Sequence, residues 1–458
     1  MGESLETRGM QLDLAILGSG FGGSITALVA KQMGLNPILF ERGKHPRFAI
    51  GESATPQADI ALANIADTYN LDRLSPLARY GSWKETYPNL SCGPKRGFTY
   101  VNHPHIEDEL LVAASPDQYN ADSHWYRADL DSFLVEEVKA AGIPYFDRSN
   151  PTITAGSQWK LETDNMTCTA DFVIDATGGA NPLGIPQDNT TIRTNSRAIY
   201  SHFTDVIPWG DLHGKPVHPY PCHEAALHHI FDGGWMYVLH FDNGITSTGF
   251  VLDNCTRPND TWESLMDEYP AIKEQFQHAT PTMPMINTGR MQRRATSMVG
   301  DTWAMLPHAA YFLDPLHSAG IAHTLCGIER LMPILKKSEA DRHEALLGYQ
   351  ANICSEIDLL DKIIHGCYLC FDTFELFSQY AMLYFAGADF TERRRREGCA
   401  SGFLNCGDAS FCSMVDTFYQ QMVDGTIDAS SIASAIEPWN LAGLCDPTKQ
   451  NMYDYAQL

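Results

Sequence analysis

The sequence predicts an α/β protein: a Rossmann-type dinucleotide-binding core, a region of antiparallel sheet, a return segment to the core and a helical C-terminal part. Three observations carry this. An apolar strand near the N-terminus runs into a G-x-G-x-x-G turn and a helix; a buried-strand pattern, "FVIDATGG", returns at residues 172–179; and from residue 339 to 388 the apolar spacing is helical.

Composition sets the frame. With 458 residues, 44% hydrophobic and 19% charged, the chain has material for one large domain or two coupled ones, each with its own core. The formal charge of −24 speaks against nucleic acid or an anionic membrane as partner, because both reward clustered Lys and Arg. The one dense basic run, "ERRRRE" at 392–397, is flanked by acids and reads as a solvated helix face. No stretch approaches the ~20 apolar residues of a membrane span, and the N-terminus shows no basic stretch followed by an apolar signal core, so a cytoplasmic location is expected. The 12 cysteines are scattered, as reduced thiols are. Cys367 and Cys370 form a C-x-x-C inside an apolar helical run and read as buried packing rather than a redox or zinc pair.

In "LDLAILGSGFGGSITALVAKQMGLNPILFERG", residues 12–17 read as a strand and 24–33 as a helix. Gly18, Gly20 and Gly23 between them have the dinucleotide spacing: Gly18 for the tight turn, Gly20 for close approach of backbone to a pyrophosphate, Gly23 for helix against strand. The helix start supplies N–H groups and a positive dipole end to phosphates. A second strand, "PILFE", ends in Glu41, the acid such units use for ribose hydroxyls. FAD and NAD both satisfy this unit.

Further segments follow in order: "ERGKHPRFAIGESATP" from residue 41, "RADLDSFL" from 127 and "FVIDATGG" from 172. Together they resemble the FAD-binding segments of flavin-dependent halogenases and of the p-hydroxybenzoate hydroxylase-like flavin monooxygenases that share their fold, over residues 13–331. The resemblance implies FAD. It assigns Gly18, Gly20, Phe21, Gly22, Gly23, Glu41, Arg42, Gly51, Glu52, Ser53, Arg127, Asp175, Thr177 and Gly178 to the cofactor, with Gly51, Glu52 and Ser53 in the family's flavin-contacting loop.

The stretch "HAAYFLDPLHSAGIAHTL", from His308, is similar to the family segment that walls the flavin ring, which implies cofactor contacts at His308, Asp314, Pro315, Gly320 and Ile321 and a halide held by the backbone of Ala319 and Gly320. Pro307 and His308 stand where the family has Gly and Asp, so the ribityl contact is altered. His317 replaces the glutamate of tryptophan-type members, which argues against tryptophan as substrate; with Ser318 it is a candidate polar group at the reaction centre. His323 reads as core or flavin-shell packing.

Halogenases of this family use one lysine to conduct hypohalous acid, or to hold it as a chloramine, beside the ring to be attacked. "GPKRGFTYV" offers Lys95, followed by Gly97 and by a Phe98 that arrives early for the phenol-type K-x-G-x-x-F; its distance from Gly51 is longer than the family's. The insertion "YGSWKETYPNLSCG" accounts for the difference if it bulges out as a loop. Lys84 within it is the second candidate, and Arg79 would be a disabling replacement. The family's W-x-W-x-I-P appears as "GGWMYVLHF", with Trp235 kept and Tyr237, Leu239 and His240 substituted; the alternation alone reads as a strand with aromatic packing.

The segments expected are 10–200 for the first part of the FAD core, 201–290 for the antiparallel substrate region, 291–335 for the return to the core and 336–458 for a helical cap. The stretch 216–231 is read as strands and loops. Five histidines between His213 and His229 lack an accompanying carboxylate or cysteine set at ligand spacing, so no metal is expected.

The resemblance implies an FAD-dependent halogenase that uses reduced FAD, dioxygen and chloride or bromide on a small electron-rich aromatic of phenol or pyrrole type. A separate flavin reductase is the expected supplier of reduced FAD, and a homodimer is admitted. Two alternatives stay open: a flavin monooxygenase of the same fold that needs no halide, and a catalytically silent flavin-binding homologue.

Overall fold

A computed structural model describes residues 11–113, 115–399 and 402–446. Two mixed sheets carry the architecture. The first is nucleated by β1 (Gln11–Leu17), which pairs in parallel with β2 (Pro37–Phe40) on one side. On its other side lies β10 (Met166–Asp175), again in parallel, with the hairpin of β8 (Thr152–Thr154) and β9 (Trp159–Thr163) paired antiparallel to it through β9. Trp303–Met305 extends the parallel set beyond β10, and β7 (Tyr145–Phe146) extends it beyond β2. Strands flanked on both faces need apolar side chains throughout rather than alternation, and Leu14, Ala15 and Ile16 are all fully buried.

Helix α1 (Phe21–Gln32) begins three residues before the expected start. It is buried from Phe21 to Ala30, and Gly22 and Gly23 are wound into its first turn, while Gly18 and Gly20 stay in the turn before it. Helices α2 (Pro56–Thr68) and α4 (Arg127–Ala140) complete this layer.

The second sheet orders β11 (Ser196–Thr204), β14 (Thr246–Asp253), β13 (Gly234–His240), β12 (Ala226–Phe231), β4 (Gly97–Asn102) and β5 (Glu109–Ala113). Its neighbours run antiparallel except β12 and β4. β4 and β5 thus come from within residues 10–200 and join the second sheet. Within 216–231, only the last six residues form a strand; the prolines at 216, 219 and 221 cannot serve a ladder.

The insertion does not bulge. Residues Tyr80–Thr86 form helix α3, pinned by Trp83, which is fully buried and donates its indole N–H to the Leu90 carbonyl. The chain then enters β3 (Cys92–Lys95), which pairs with β6 (Asp122–Trp125) as a two-stranded ribbon.

Helices α5 (Ala319–Ile334), α6 (Glu339–Tyr368) and α7 (Phe374–Arg396) follow, the last two over the 339–388 stretch whose spacing is helical. The "ERRRRE" run closes α7, and it is not a plain solvated face: helical periodicity turns Glu392 fully inward, while Arg395 pairs with Glu329. Cys367 and Cys370 are both buried as packing, and every cysteine described is a free thiol.

Candidate active site

The two sheets share one cavity of about 500 Å³, whose lining takes in Gly18, Gly20 and Glu41 from the first and Trp235, Tyr237 and Leu239 from the second. Gly18 has φ +97°, and a Cβ there would lie 2.6 Å from the Ala176 carbonyl oxygen, so only glycine makes this turn. The N-cap of α1 is Gly20, which brings no capping side chain, and the first turn carries no acid. That leaves a positive, side-chain-free end facing the cavity.

Glu41 lies just past β2, buried. Its Oε2 accepts from the Ser19 N–H (3.0 Å) and hydroxyl (3.1 Å) and from Arg47 (3.3 Å), and Oε1 accepts from the Gly43 N–H at 2.8 Å. Burial alone would raise its pKa; these donors and the Arg47 charge reverse that and hold it below the usual range.

Arg127 opens α4. It clamps Asp131 with two bonds (2.9 and 2.8 Å) and donates to the carbonyls of Ile50 and Gly51, while Asp131 also accepts the Phe21 N–H. One arginine thereby ties the 50–53 loop to the start of α1. Asp131 was missed in the sequence, although its i,i+4 spacing in "RADLD" was readable.

The cavity wall is built from two segments. Glu52 is buried and pairs with His202 at 3.0 Å, and the Ser318 hydroxyl donates to Ser53 Oγ at 3.1 Å. Ser318 sits at φ +53° and caps α5 with no side-chain bond to the helix, so Ala319 and Gly320 begin the helix with amides free of a capping hydroxyl. A Cβ on Gly320 would meet nothing within 4 Å, which fits a backbone face open to the cavity.

Asp314 is enclosed beside it. It accepts from Ser196 (2.7 Å), Tyr368 (2.8 Å) and the Leu316 N–H (3.1 Å), and burial raises it to about 6. The Trp235 indole donates to the Tyr368 hydroxyl at 3.1 Å, so this network also fixes the retained tryptophan.

His308 donates from Nε2 to the Ala176 carbonyl (3.0 Å), which sets Nδ1 as acceptor for the Thr324 hydroxyl (3.2 Å). Burial pushes it down to about 4, so this ring is neutral.

Of the residues expected around the cofactor, all but Gly23 and Asp175 line the cavity. Gly23 packs instead: a Cβ there would fall 1.8 Å from the Gly18 carbonyl oxygen. Asp175 faces the turn, accepting from the Thr177 N–H and hydroxyl at 2.9 and 2.7 Å. The residues present suit an elongated dinucleotide, and they would hold its phosphates at α1 and its ribose at Glu41.

Lys95 and His317 do not line the cavity; both are fully buried behind its wall. Lys95 donates to the carbonyl of Ala54 at 2.6 Å, and its ammonium lies 4.0 Å from the Phe98 ring centroid. The wall is tied to the lysine's ribbon, since Ala54 N–H donates to Ser123 and Trp125 N–H to Glu52. His317 stacks on Tyr384 with centroids 4.3 Å apart, and burial lowers it to about 3.

Lys84 is bound elsewhere, to Asp242 at 2.5 Å and to the carbonyls of Pro88 and Leu90. Arg79 donates to Asn120. The five histidines do not converge: His218 pairs with Glu109 and His229 with Gln275, and no metal-ligating cluster occurs among the described residues.

A glycine turn that opens on a cavity shared by two mixed sheets is the arrangement of a dinucleotide-binding protein. The tryptophan halogenase family model matches residues 118–373, more than half of the chain, and the chain belongs to that family.

It is 27% identical over 93% of its length to monodechloroaminopyrrolnitrin halogenase PrnC of Pseudomonas fluorescens, spanning 82% of that protein. It is also 27% identical, over 88% of its length, to tetracycline 7-halogenase of Kitasatospora aureofaciens, spanning 78% of that enzyme. Among solved structures, halogenase PltM in complex with phloroglucinol and FAD shares the fold at a TM-score of 0.86 and 22% identity, over 93% of this chain and 96% of that one. The flavin-dependent brominase Bmp2 shares it at 0.64 and 18%, over 94% and 99%. The protein is an FAD-dependent halogenase, with halide as co-substrate. No helix of the described residues is long and apolar enough to cross a membrane.

Proposed function

We propose that the protein halogenates a small, electron-rich aromatic of phenol or pyrrole type, and that Lys95 delivers the halogen. The relatives' names point to such rings: one solved neighbour holds phloroglucinol, and another relative is a 1H-pyrrole-2-carbonyl-[peptidyl-carrier protein] chlorinase, 23% identical over 68% of this chain. The observation that carries the lysine is its bond to Ala54, which puts the amine one residue behind Ser53 in the wall.

Reduced FAD, when bound, supplies with dioxygen the oxidation of halide to the level of hypohalous acid. The chain's own part is positional. Ala319 and Gly320, at the start of a 16-residue helix, present amides and a positive dipole end to halide. Ser53 and Ser318 close the wall between them, which keeps the organic substrate out of the cavity. The ammonium of Lys95 hydrogen-bonds the oxidant beyond it and polarises the oxygen–halogen bond toward the ring carbon. Phe98, Tyr100, His228 and Phe385, whose rings pack 4.9–6.4 Å apart, make the surroundings of the amine aromatic. A separate flavin reductase supplies the reduced cofactor in this reading.

The test is turnover of purified protein with FAD, a generic flavin reductase, NADH and bromide or chloride, on a panel of phenols and pyrroles, read by mass spectrometry. Halogenated product is expected, and Lys95→Ala should abolish it with FAD still bound. Hydroxylated product that ignores halide would overturn the reading in favour of a monooxygenase.

A further inference from the structure

Lys95 is not alone behind the wall. Its register partner across the β3–β6 ribbon is Asp122, so both side chains leave the ribbon on one face. Asp59 comes to the same place from α2 and Glu392 from α7, and each of the four is at most 2% exposed. The carboxyls of Asp59 and Asp122 meet in hydrogen-bonding contact. Yet no N–H or O–H donor reaches either oxygen of Asp59, Oδ1 of Asp122 or Oε2 of Glu392. Two carboxyls in contact in a dry interior cannot both ionise, so one proton is shared between them.

We propose that the Asp59–Asp122 pair is a positioning device for Lys95: with one proton between them, the two acids present a single negative charge to the ammonium and keep the amine charged where burial would strip it. The proposal rests on Lys95 as the delivering residue.

The charges close. Burial is the largest influence on Lys95 and lowers it, the aspartates and Glu392 oppose that, and the balance leaves it at about 8. Asp122 is raised to about 6 by burial, which the lysine resists, whereas burial and its neighbour hold Asp59 well above the usual range. Asp122 therefore carries the charge and Asp59 the proton. Burial also keeps Glu392 protonated, and His124 and His228, which face the amine from β6 and β12, neutral. Arg79 and Arg396, half-buried at the cluster's edge, act on the acids, as the Tyr384 hydroxyl responds to them. Inside, one ammonium faces one net carboxylate.

The test is the pH profile of ring halogenation by the holoenzyme, run beside a diketone trap that reads hypohalite release and does not depend on Lys95. In the parent protein, ring halogenation falls above about pH 8 as the amine loses its proton. In Asp59→Asn/Asp122→Asn the aspartates no longer oppose desolvation, and buried lysines without a counter-charge fall to about 5–6, so that limb should move down by about two pH units while hypohalite release persists. An unmoved limb overturns the proposal and leaves Lys95 standing. Ring halogenation surviving in Lys95→Ala overturns the lysine reading itself.

Should the double variant not fold, infrared spectroscopy of the parent holoenzyme decides. A protonated-carboxyl band that shifts with [13C]aspartate labelling supports the shared proton, and the absence of any label-sensitive band overturns it.

Discussion

Replacing Glu356 by Gln tests whether the wall is held from behind by a buried ion cluster. Glu356 lies on α6, 1% exposed, and takes two bonds from Arg330 (2.6 and 3.0 Å), one from His323 Nε2 (2.5 Å) and one from the Phe403 N–H (2.9 Å). The other nitrogen of His323 bonds the hydroxyl of Tyr311, which lines the cavity. Arg330 and His323 both belong to α5, whose first turn forms the wall, so this carboxylate fixes that helix.

Burial alone would raise Glu356, but His323 and Arg330 reverse that and hold it at about 2 against an ordinary 4.5. Each unit is worth 1.36 kcal/mol, which makes roughly 3 kcal/mol. Burial lowers His323 and keeps the ring neutral, so its share as a cation is discounted and ~2–3 kcal/mol remains. A carboxyl with a depressed folded pKa stabilises fully above 4.5 and loses that contribution as pH falls from 4.5 toward 2. Urea unfolding followed by tryptophan fluorescence should show Glu356→Gln weaker by about 2–3 kcal/mol at pH 7, with the gap closing near pH 2–3, and with less FAD retained after gel filtration. A variant within ~0.5 kcal/mol of the parent at pH 7 would refute the clamp.

Lys84→Ala separates the two lysines of the sequence. Lys84 and Asp242 are each about a quarter exposed (24% and 26%), so losing their contact costs roughly 1 kcal/mol after solvent screening, with ring halogenation retained. Loss of product there would move delivery from Lys95 to Lys84. Gly23→Ala places a methyl 1.8 Å from the Gly18 oxygen, and the turn must open by about 1 Å or more. A cost of ~1–3 kcal/mol and at least about tenfold weaker FAD binding are expected by fluorescence titration, and a Kd within about twofold of the parent would contradict the packing role.

The cofactor half of the site was legible because its chemistry sits in local order. A strand, a glycine turn and an acid at the end of the next strand are written within 31 residues, Gln11 to Glu41, and the backbone follows them. What lay behind the wall was not legible. Asp59, Asp122 and Glu392 come from a helix, a ribbon and the far end of another helix, and only tertiary packing brings them to Lys95. The same holds for "ERRRRE", where charge composition suggested solvent while the register of α7 decided which residue turns inward. Trp83 was the missed clue in the insertion, since a segment that bulges into water has no use for a fully buried indole.

The position of Lys95 bears on what a buried amine would add to the proposed halogen delivery. On the cavity side, the wall offers backbone amides and the linked hydroxyls of Ser53 and Ser318, groups that suit an anion and a small oxidant. Around the amine the packing is aromatic, and the nearby histidines are held neutral by burial: His317 at about 3, and His228 far below its ordinary range. Neither ring can supply a cationic donor there near neutral pH. A fully buried ammonium is costly unless a carboxylate faces it, and the aspartate pair provides one. The bond from Lys95 to Ala54 then holds that single charge against the residue after Ser53, which is the position the proposed delivery requires.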